Sequence, residues 1–455
     1  MTASTDINPF AITNIENPYP LYASLRQKCP AYRVPGTNFY LVSSWKLVTE
    51  ALTRTEDFSS HLTGVLVHPA EGPPVTFDMD GNGQAIHVLA TADDPSHQRH
   101  RKLVLPTLVA KRIRTMEPAI ADYAERLWNN HFDGRHIEWV SALADRLPLQ
   151  MVAHLIGLPE ADVPQLLTWS YDSTELLSGL VSAERLPEVV NAATQLAGYL
   201  YNKLEAAQAA PGENLLGDLV RANTNGDIDT TVAVLILVQL VGAGGESTAG
   251  LIANSARILA DNPLLQQELR ENHELIPPFL EESLRLESPF RGHHRHVTRD
   301  TTLGDVPLSA GSHLILLWGS ANRDPAAFPD PDILNIGRPN LRSHLAFGKG
   351  AHFCVGAALA RLEAKIALTM LLEKSQHVSL TDGAPPEWVP SLFVRRHQSL
   401  LLTVTPRRSF LRPQQSAVPE VPPDRQCHLQ ADLRQGQQNP PADLLRFCPC
   451  PPLRR

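Results

Sequence analysis

From residue 94 to about 275, apolar positions recur every three or four residues, the period of helices that bury one face. The pattern breaks at Pro159, Pro164, Pro211 and Gly226, residue types that end or interrupt helices. Before this stretch the texture is mixed. Pro20 to Gln27 reads as a short helix, whereas AYRV (31–34) and FYLVSS (39–44) read as strands. Residues 61–92 are rich in Gly, Pro and His and predict a long irregular loop, a kind of segment that in compact proteins is usually functional or disordered. After Pro289 come two short β-like runs, HVTRDTTL and SHLILLWGS, then a Pro/Asp-rich meander, RDPAAFPDPDILNIGRPN. A helix over about Val355–Glu373 follows, and 391–405 read as closing strands. The most apolar run, Val232 to Gly245, is interrupted by Gln239 and ends in glycines; it is too short to span a bilayer and predicts a buried helix. The whole predicts a mainly α protein with a small β-rich lobe. Residues 407–455, rich in Pro, Gln and Arg and without lysine, predict a disordered tail.

Composition changes this picture little. Of 455 residues, 43 % are hydrophobic and 19 % charged, as in ordinary globular proteins. A net charge of −8 argues against non-specific nucleic-acid binding. Cys29, Cys354, Cys427, Cys448 and Cys450 are too few and too scattered for a disulfide framework, which favours a reducing compartment. The N-terminus has no basic start and no apolar core, so neither signal peptide nor membrane anchor is expected. A cytoplasmic enzyme fits these limits. Cys448-Pro-Cys450 lies about twenty residues beyond Cys427 and His428, outside usual zinc spacings. The His293, His294 and His296 cluster lacks a cysteine or carboxylate at metal-ligand spacing.

The chemistry concentrates in 347–356, FGKGAHFCVG. Cys354 stands at the mouth of a predicted helix, whose N-terminus favours a thiolate. Gly348 and Gly350 permit turns that bring backbone against a flat macrocycle, and Gly356 lets the helix begin close beneath it. A buried structural cysteine needs no such glycines, so the loop reads as a haem-iron ligand site. Glu282 and Arg285 in FLEESLRLESPF share a helix face and can pair. In VGAGGESTAG (241–250) two adjacent glycines cost a helix about 1 kcal/mol each. That predicts either close helix packing or a local bulge or kink, with Glu246 and a hydroxyl moving protons beside it. His97 and Arg101 share a helix face four residues apart.

F-G-x-G-x-H-x-C-x-G is similar to the haem-binding loop of the cytochrome P450 superfamily, and the resemblance extends over about residues 15–406. It implies the cytochrome P450 fold, with residues 1–406 as one large haem-thiolate domain binding haem b. Cys354 would be the axial iron ligand, within a loop of Phe347, Gly348 and Gly356; His97, Arg101, Arg295 and His352 would meet the haem propionates. Glu282 and Arg285 resemble the family's buried E-x-x-R pair, which Arg338 would complete; Leu334 stands where an aromatic is more usual. AGGES resembles A-G-x-[DE]-T, which gives Glu246 and Ser247 the acid and alcohol roles, with Thr248 as a further hydroxyl. Serine in place of threonine keeps the hydroxyl, loses the methyl and rotates more freely, so oxygen activation would be less tightly coupled to product.

The implied activity is a monooxygenase that inserts one atom of O2 into an apolar small molecule, a terpenoid, fatty acid, steroid or polyketide-like compound. No flavin- or ferredoxin-like segment is fused, so electrons would come from a ferredoxin and its NAD(P)H-dependent reductase, docking near Arg99, Arg101, Lys102 and Lys349. Residues 290–294 would border the substrate pocket, with His293 and His294 available to a polar group. The wording of GAGGESTA and FGKGAHFCVGAALARLEA resembles a bacterial branch common in mycobacteria. A peroxide-using or isomerising haem-thiolate enzyme and a non-catalytic haem-binding protein are the other readings; retention of the acid–alcohol pair disfavours peroxide use.

Overall fold

The computed structural model describes residues 7–69, 72–81 and 83–407. The predicted tail and Cys427, Cys448 and Cys450 lie outside the described residues. The architecture is mainly helical, with small sheets to one side, as the periodicity predicted.

Its axis is the helix Thr230–Ala260. Asp229 caps its start, accepting from the Val232 amide at 2.7 Å. Apolar residues occur all round it, which marks a helix enclosed by others. Its first half, through Leu235, Ile236 and Val241, packs with Leu149, Leu166, Leu200 and Leu219. Its second half, through Ile252, Ala253 and Ala256, packs with Trp139, Leu143, Phe279 and Leu371. The helix is longer than the apolar run suggested, and long and apolar enough to cross a membrane, but it is mostly buried inside the protein.

The expected bulge at 243–248 is absent: helical bonding runs unbroken from Thr230 to Ala260. Close packing accounts for Gly244, where a Cβ would lie 2.5 Å from Val152 Cγ2 on the adjoining helix Arg146–Ile156. A separate π-turn lies at Val140–Ala144.

The main sheet runs Ala31–Arg33, Phe39–Val42, His313–Leu316, His293–Val297, Phe58–Ser59. Its one parallel pairing joins His313–Leu316 to Phe39–Val42. Arg295, opposite Leu314, thereby sits inside the sheet. Ser375–Leu380 and His136–Glu138 flank Leu401–Pro406. The segment read as an irregular loop contains a hairpin, Gly64–Val67 with Val75–Asp78. Its apolar residues join only a small cluster of Val65, Leu176, Val181 and Val189.

Glu282 and Arg285 on Ile276–Leu286 are fully buried and bonded bidentately at 2.8 and 2.7 Å. Arg338 Nε reaches the same carboxylate at 2.9 Å. Arg285 also donates to the carbonyls of Asn322 (2.9 Å) and Pro331 (2.6 Å), and Arg338 to those of Asp330 (2.6 Å) and Ile333 (2.7 Å). These charge-assisted bonds pin the Pro/Asp-rich meander. The predicted three-residue network is therefore observed, and Leu334, half-buried, packs against the hydrophobic core.

Candidate functional site

The meander delivers the cysteine loop. Asn322 Oδ1 accepts from the Leu345 amide at 2.7 Å, where the loop begins. The loop closes on itself: Gly348 N donates to Leu345 O at 2.8 Å, Phe353 N to Gly350 O at 3.0 Å, and Cys354 N to Phe347 O at 2.9 Å. Gly348 and Gly350 take φ of +67° and +73°, the left-handed region in which a side chain is strained. The loop ends at helix Ala357–Lys374.

The backbone N–H groups of Gly356 and Ala357, at the start of helix Ala357–Lys374, favour the ionised form of the Cys354 thiol. Burial nevertheless pushes the thiol up, and it outweighs these groups and the nearby Arg361 and Arg101. The helix end thus favours the thiolate, while desolvation works against it and is the larger effect. Arg361 stacks over Phe347 at 4.4 Å and binds Glu281, which also bonds His344 at 3.0 Å. Burial alone would raise the Glu281 carboxyl, but His344 and Arg361 outweigh it and hold it at about 2.

Cationic and donor groups gather on one side of this loop. His97 and His352 stack at 4.0 Å, bringing together residues 255 positions apart. His352 also bonds Ser60 at 3.1 Å, and His97 bonds Asp94 at 3.2 Å. Arg101 donates to the Phe353 carbonyl at 2.8 Å. Arg295, 5 % exposed, donates to the His294 carbonyl and has no carboxylate in bonding contact among the described residues. Burial lowers it to about 10, and it lowers His352 and His293 to about 3. His293 stacks on Trp318, and His293 Nδ1 and Trp318 Nε1 are buried without partners. Uncompensated buried donors beside a glycine-shaped cradle suit an anionic, flat group. The residues present thus fit haem and its propionates. Sequence reasoning missed Trp318 and Ser60; neither lies in a recognisable motif.

Across from the loop, the central helix presents Ala243, exposed, and Ser247, half-buried. Ser247 Oγ bonds the Ala243 carbonyl at 2.9 Å, within its own helix. Glu246, 5 % exposed, points elsewhere: Arg396 Nε donates to it at 2.9 Å and the Thr174 hydroxyl at 3.0 Å. Thr248 is buried, off the face formed by Ala243 and Ser247. Phe290 and Phe393 pack at 4.7 Å beside His294. His294 is buried and lowered by burial to about 4, hence a neutral imidazole at neutral pH. Arg396 was read only as part of a closing strand. Its signal was two adjacent arginines inside an apolar run, SLFVRRHQSLLL, where a buried charge requires a partner.

A cysteine loop facing a long enclosed helix, with buried donors at the rim, defines a haem-thiolate protein. The sequence model of the family Cytochrome P450 matches residues 224–404. The chain is 48 % identical over 405 residues to Cytochrome P450 144 of Mycobacterium tuberculosis, covering 89 % of this chain and 93 % of that protein. It is 32 % identical over 377 residues to Putative cytochrome P450 123 of Mycobacterium bovis, covering 83 % and 91 %. The solved cytochrome P450 CREJ, in complex with (4-ethylphenyl) dihydrogen phosphate, superimposes with a TM-score of 0.79 at 30 % identity, covering 88 % of this chain and 99 % of that one. CYP109E1 from Bacillus megaterium, in complex with testosterone, gives 0.76 at 29 % identity, covering 86 % and 98 %. The chain belongs to the cytochrome P450 family, with its mycobacterial branch as kin, and is a monooxygenase that uses haem b.

Proposed function

We propose that this enzyme hydroxylates an apolar small molecule, with Cys354 as the axial ligand of the haem iron. The observation that carries the ligand assignment is the glycine-turned loop that closes from Cys354 N to Phe347 O at 2.9 Å and sets Cys354 just ahead of helix Ala357–Lys374. When bound, haem supplies activation of O2 and transfer of one oxygen atom to carbon. Phe347, Gly348 and Gly356 shape the loop against the macrocycle. His97, Arg101, Arg295 and His352 hold its propionates. Glu246 and Ser247 handle protons across from the thiolate, and Thr248, on the buried side of the same turn, supports them. Residues 1–406 act as one haem-binding domain, in a soluble, cytoplasmic protein.

Apolar character is supported by the Phe290–Phe393 pair and by the neutral, buried His294 beside it. It is in keeping with the testosterone complex of CYP109E1 and the hexadec-9Z-enoic acid of the P450BioI complex. Electrons come from a ferredoxin and its NAD(P)H-dependent reductase. Arg99, Lys102 and Lys349 are exposed around the cysteine loop, where they attract an acidic partner despite the overall charge. Charge reversal at Lys102 and Lys349 slows reduction and flattens its salt dependence; unchanged rates would remove this docking site.

A spectral screen of terpenoids, fatty acids and steroids, followed by product analysis, tests the substrate class. Cys354→Ala abolishes the thiolate-type carbon monoxide difference band. Retention of that band in the variant would reject the ligand assignment.

A further inference from the structure

Glu246 is gripped by segments distant in sequence. Arg396, next to the strand His397–Ser399, donates to its Oε1, and Thr174, at the end of helix Val163–Thr174, to its Oε2. The Arg396 guanidinium lies over the Tyr171 ring at 4.2 Å. The Tyr171 hydroxyl in turn donates to Asp145 Oδ1 at 2.8 Å. Asp145 joins the π-turn to helix Arg146–Ile156 and feels both Arg396 and Glu246. One guanidinium therefore bonds Glu246 directly and reaches Asp145 across the Tyr171 ring, through its field. Meanwhile Ser247 bonds its own helix, so acid and alcohol are adjacent in sequence yet face different partners. A carboxyl passes a proton to a hydroxyl only within about 2.6–3.2 Å or through one water, so Glu246 must be released from this grip to act.

We propose that Arg396 is a positioning residue for Glu246, and that Asp145, through the same guanidinium, sets how firmly the acid is held. This rests on the reading of Glu246 as the proton-handling acid. An ionised Asp145 shares the guanidinium field and loosens the grip; a neutral Asp145 leaves the guanidinium to Glu246. The groups facing Asp145 are Tyr171 from helix Val163–Thr174, Arg396, Glu246 from the central helix and Glu138 from strand His136–Glu138. Burial, opposed mainly by Arg396, raises Asp145 to about 6, so the balance turns over just below neutrality. By linkage, whatever Glu246 does to the protonation of Asp145, Asp145 does equally to Glu246.

The test is an infrared pH titration of the full-length, haem-loaded protein carrying carbon-13 aspartate, with the Asp145 band identified by its loss in Asp145→Asn. In Glu246→Gln the Asp145 midpoint falls by up to about half a unit, because a neighbouring anion is gone. In Arg396→Gln it rises by more, about one unit, because Arg396 is the main opposing charge, and Arg396→Lys restores it most of the way. An Asp145 midpoint that is the same in the parent and in Glu246→Gln overturns the proposal, as does one indifferent to Arg396→Lys and Arg396→Gln. If Arg396→Gln does not fold, the Glu246→Gln and Arg396→Lys titrations decide alone. Peroxide released per NADPH, driven by a plant-type ferredoxin and reductase, supplies the functional arm. Its pH dependence near 6 flattens in Asp145→Asn, and a retained limb counts against the proposal. If Glu246→Gln leaves peroxide yield unchanged, the acid role fails separately, whatever the infrared shows.

Discussion

The two sides of the haem site handle buried carboxylates in opposite ways. On the cysteine side, Glu282 is surrounded by Arg285, Arg338 and the Asn335 amide, and Glu281 by His344 and Arg361. Each negative charge is matched by close donors, and Glu281 stays ionised down to about 2. On the central-helix side, Arg396 bonds Glu246 while the Asp145 carboxyl, among the described residues, bonds only the Tyr171 hydroxyl, and Asp145 is raised to about 6. The first arrangement fixes geometry. The second holds charge under tension, which suits a region where protons must move. One protein thus uses the same residue types as rivets and as movable parts, and the difference lies in the basic partners: two each for Glu281 and Glu282, and Arg396 for Glu246.

The sharpest way to break this contrast is Glu282→Gln. It strands Arg285 and Arg338 in the core and costs about 3–5 kcal/mol in denaturant unfolding. A loss under about 1 kcal/mol would erase the distinction between the two sides. Next is Glu281. Its folded value lies below the ordinary 4.5, so its contribution is complete above about 4.5 and is lost as pH falls towards about 2. Glu281→Gln removes about 3 kcal/mol at neutral pH and flattens that acid limb, read as stability against pH. Asp145 carries the opposite sign: its folded value is raised, so stability improves as pH falls from about 6 towards 3.8. Asp145→Asn therefore stabilises the protein at pH 7, by up to about 2 kcal/mol after screening, and not at pH 4. A destabilised Asp145→Asn would place it among the rivets. The smallest effect is Ser247→Thr, within about 0.5 kcal/mol in thermal unfolding, with less peroxide released per NADPH.

The cysteine side was largely legible in the sequence because its logic is local. Glu282 and Arg285 are three residues apart, the glycines and Cys354 fall in one short loop, and the cysteine helix, Ala357–Lys374, begins two residues from its predicted start. The other side was legible only in part. Glu246 and Ser247 stood out, but Arg396 is 150 residues from Glu246 and no spacing rule connects them. The hairpin within 61–92 escaped because its strands are four residues each and hold few core contacts of their own. The sequence left close packing and a bulge open at Gly244 because the group that decides between them, Val152, belongs to another helix.

Asn322 ties these parts together in time as well as space. Its amide bonds Ser288 at 2.8 Å and the Leu345 amide at 2.7 Å, while its carbonyl accepts from Arg285. A chain made from its N-terminus exposes Glu282 and Arg285 first, then Asn322, then Arg338, and only afterwards the cysteine loop. The anchor for Leu345 is therefore synthesised before the segment that docks on it.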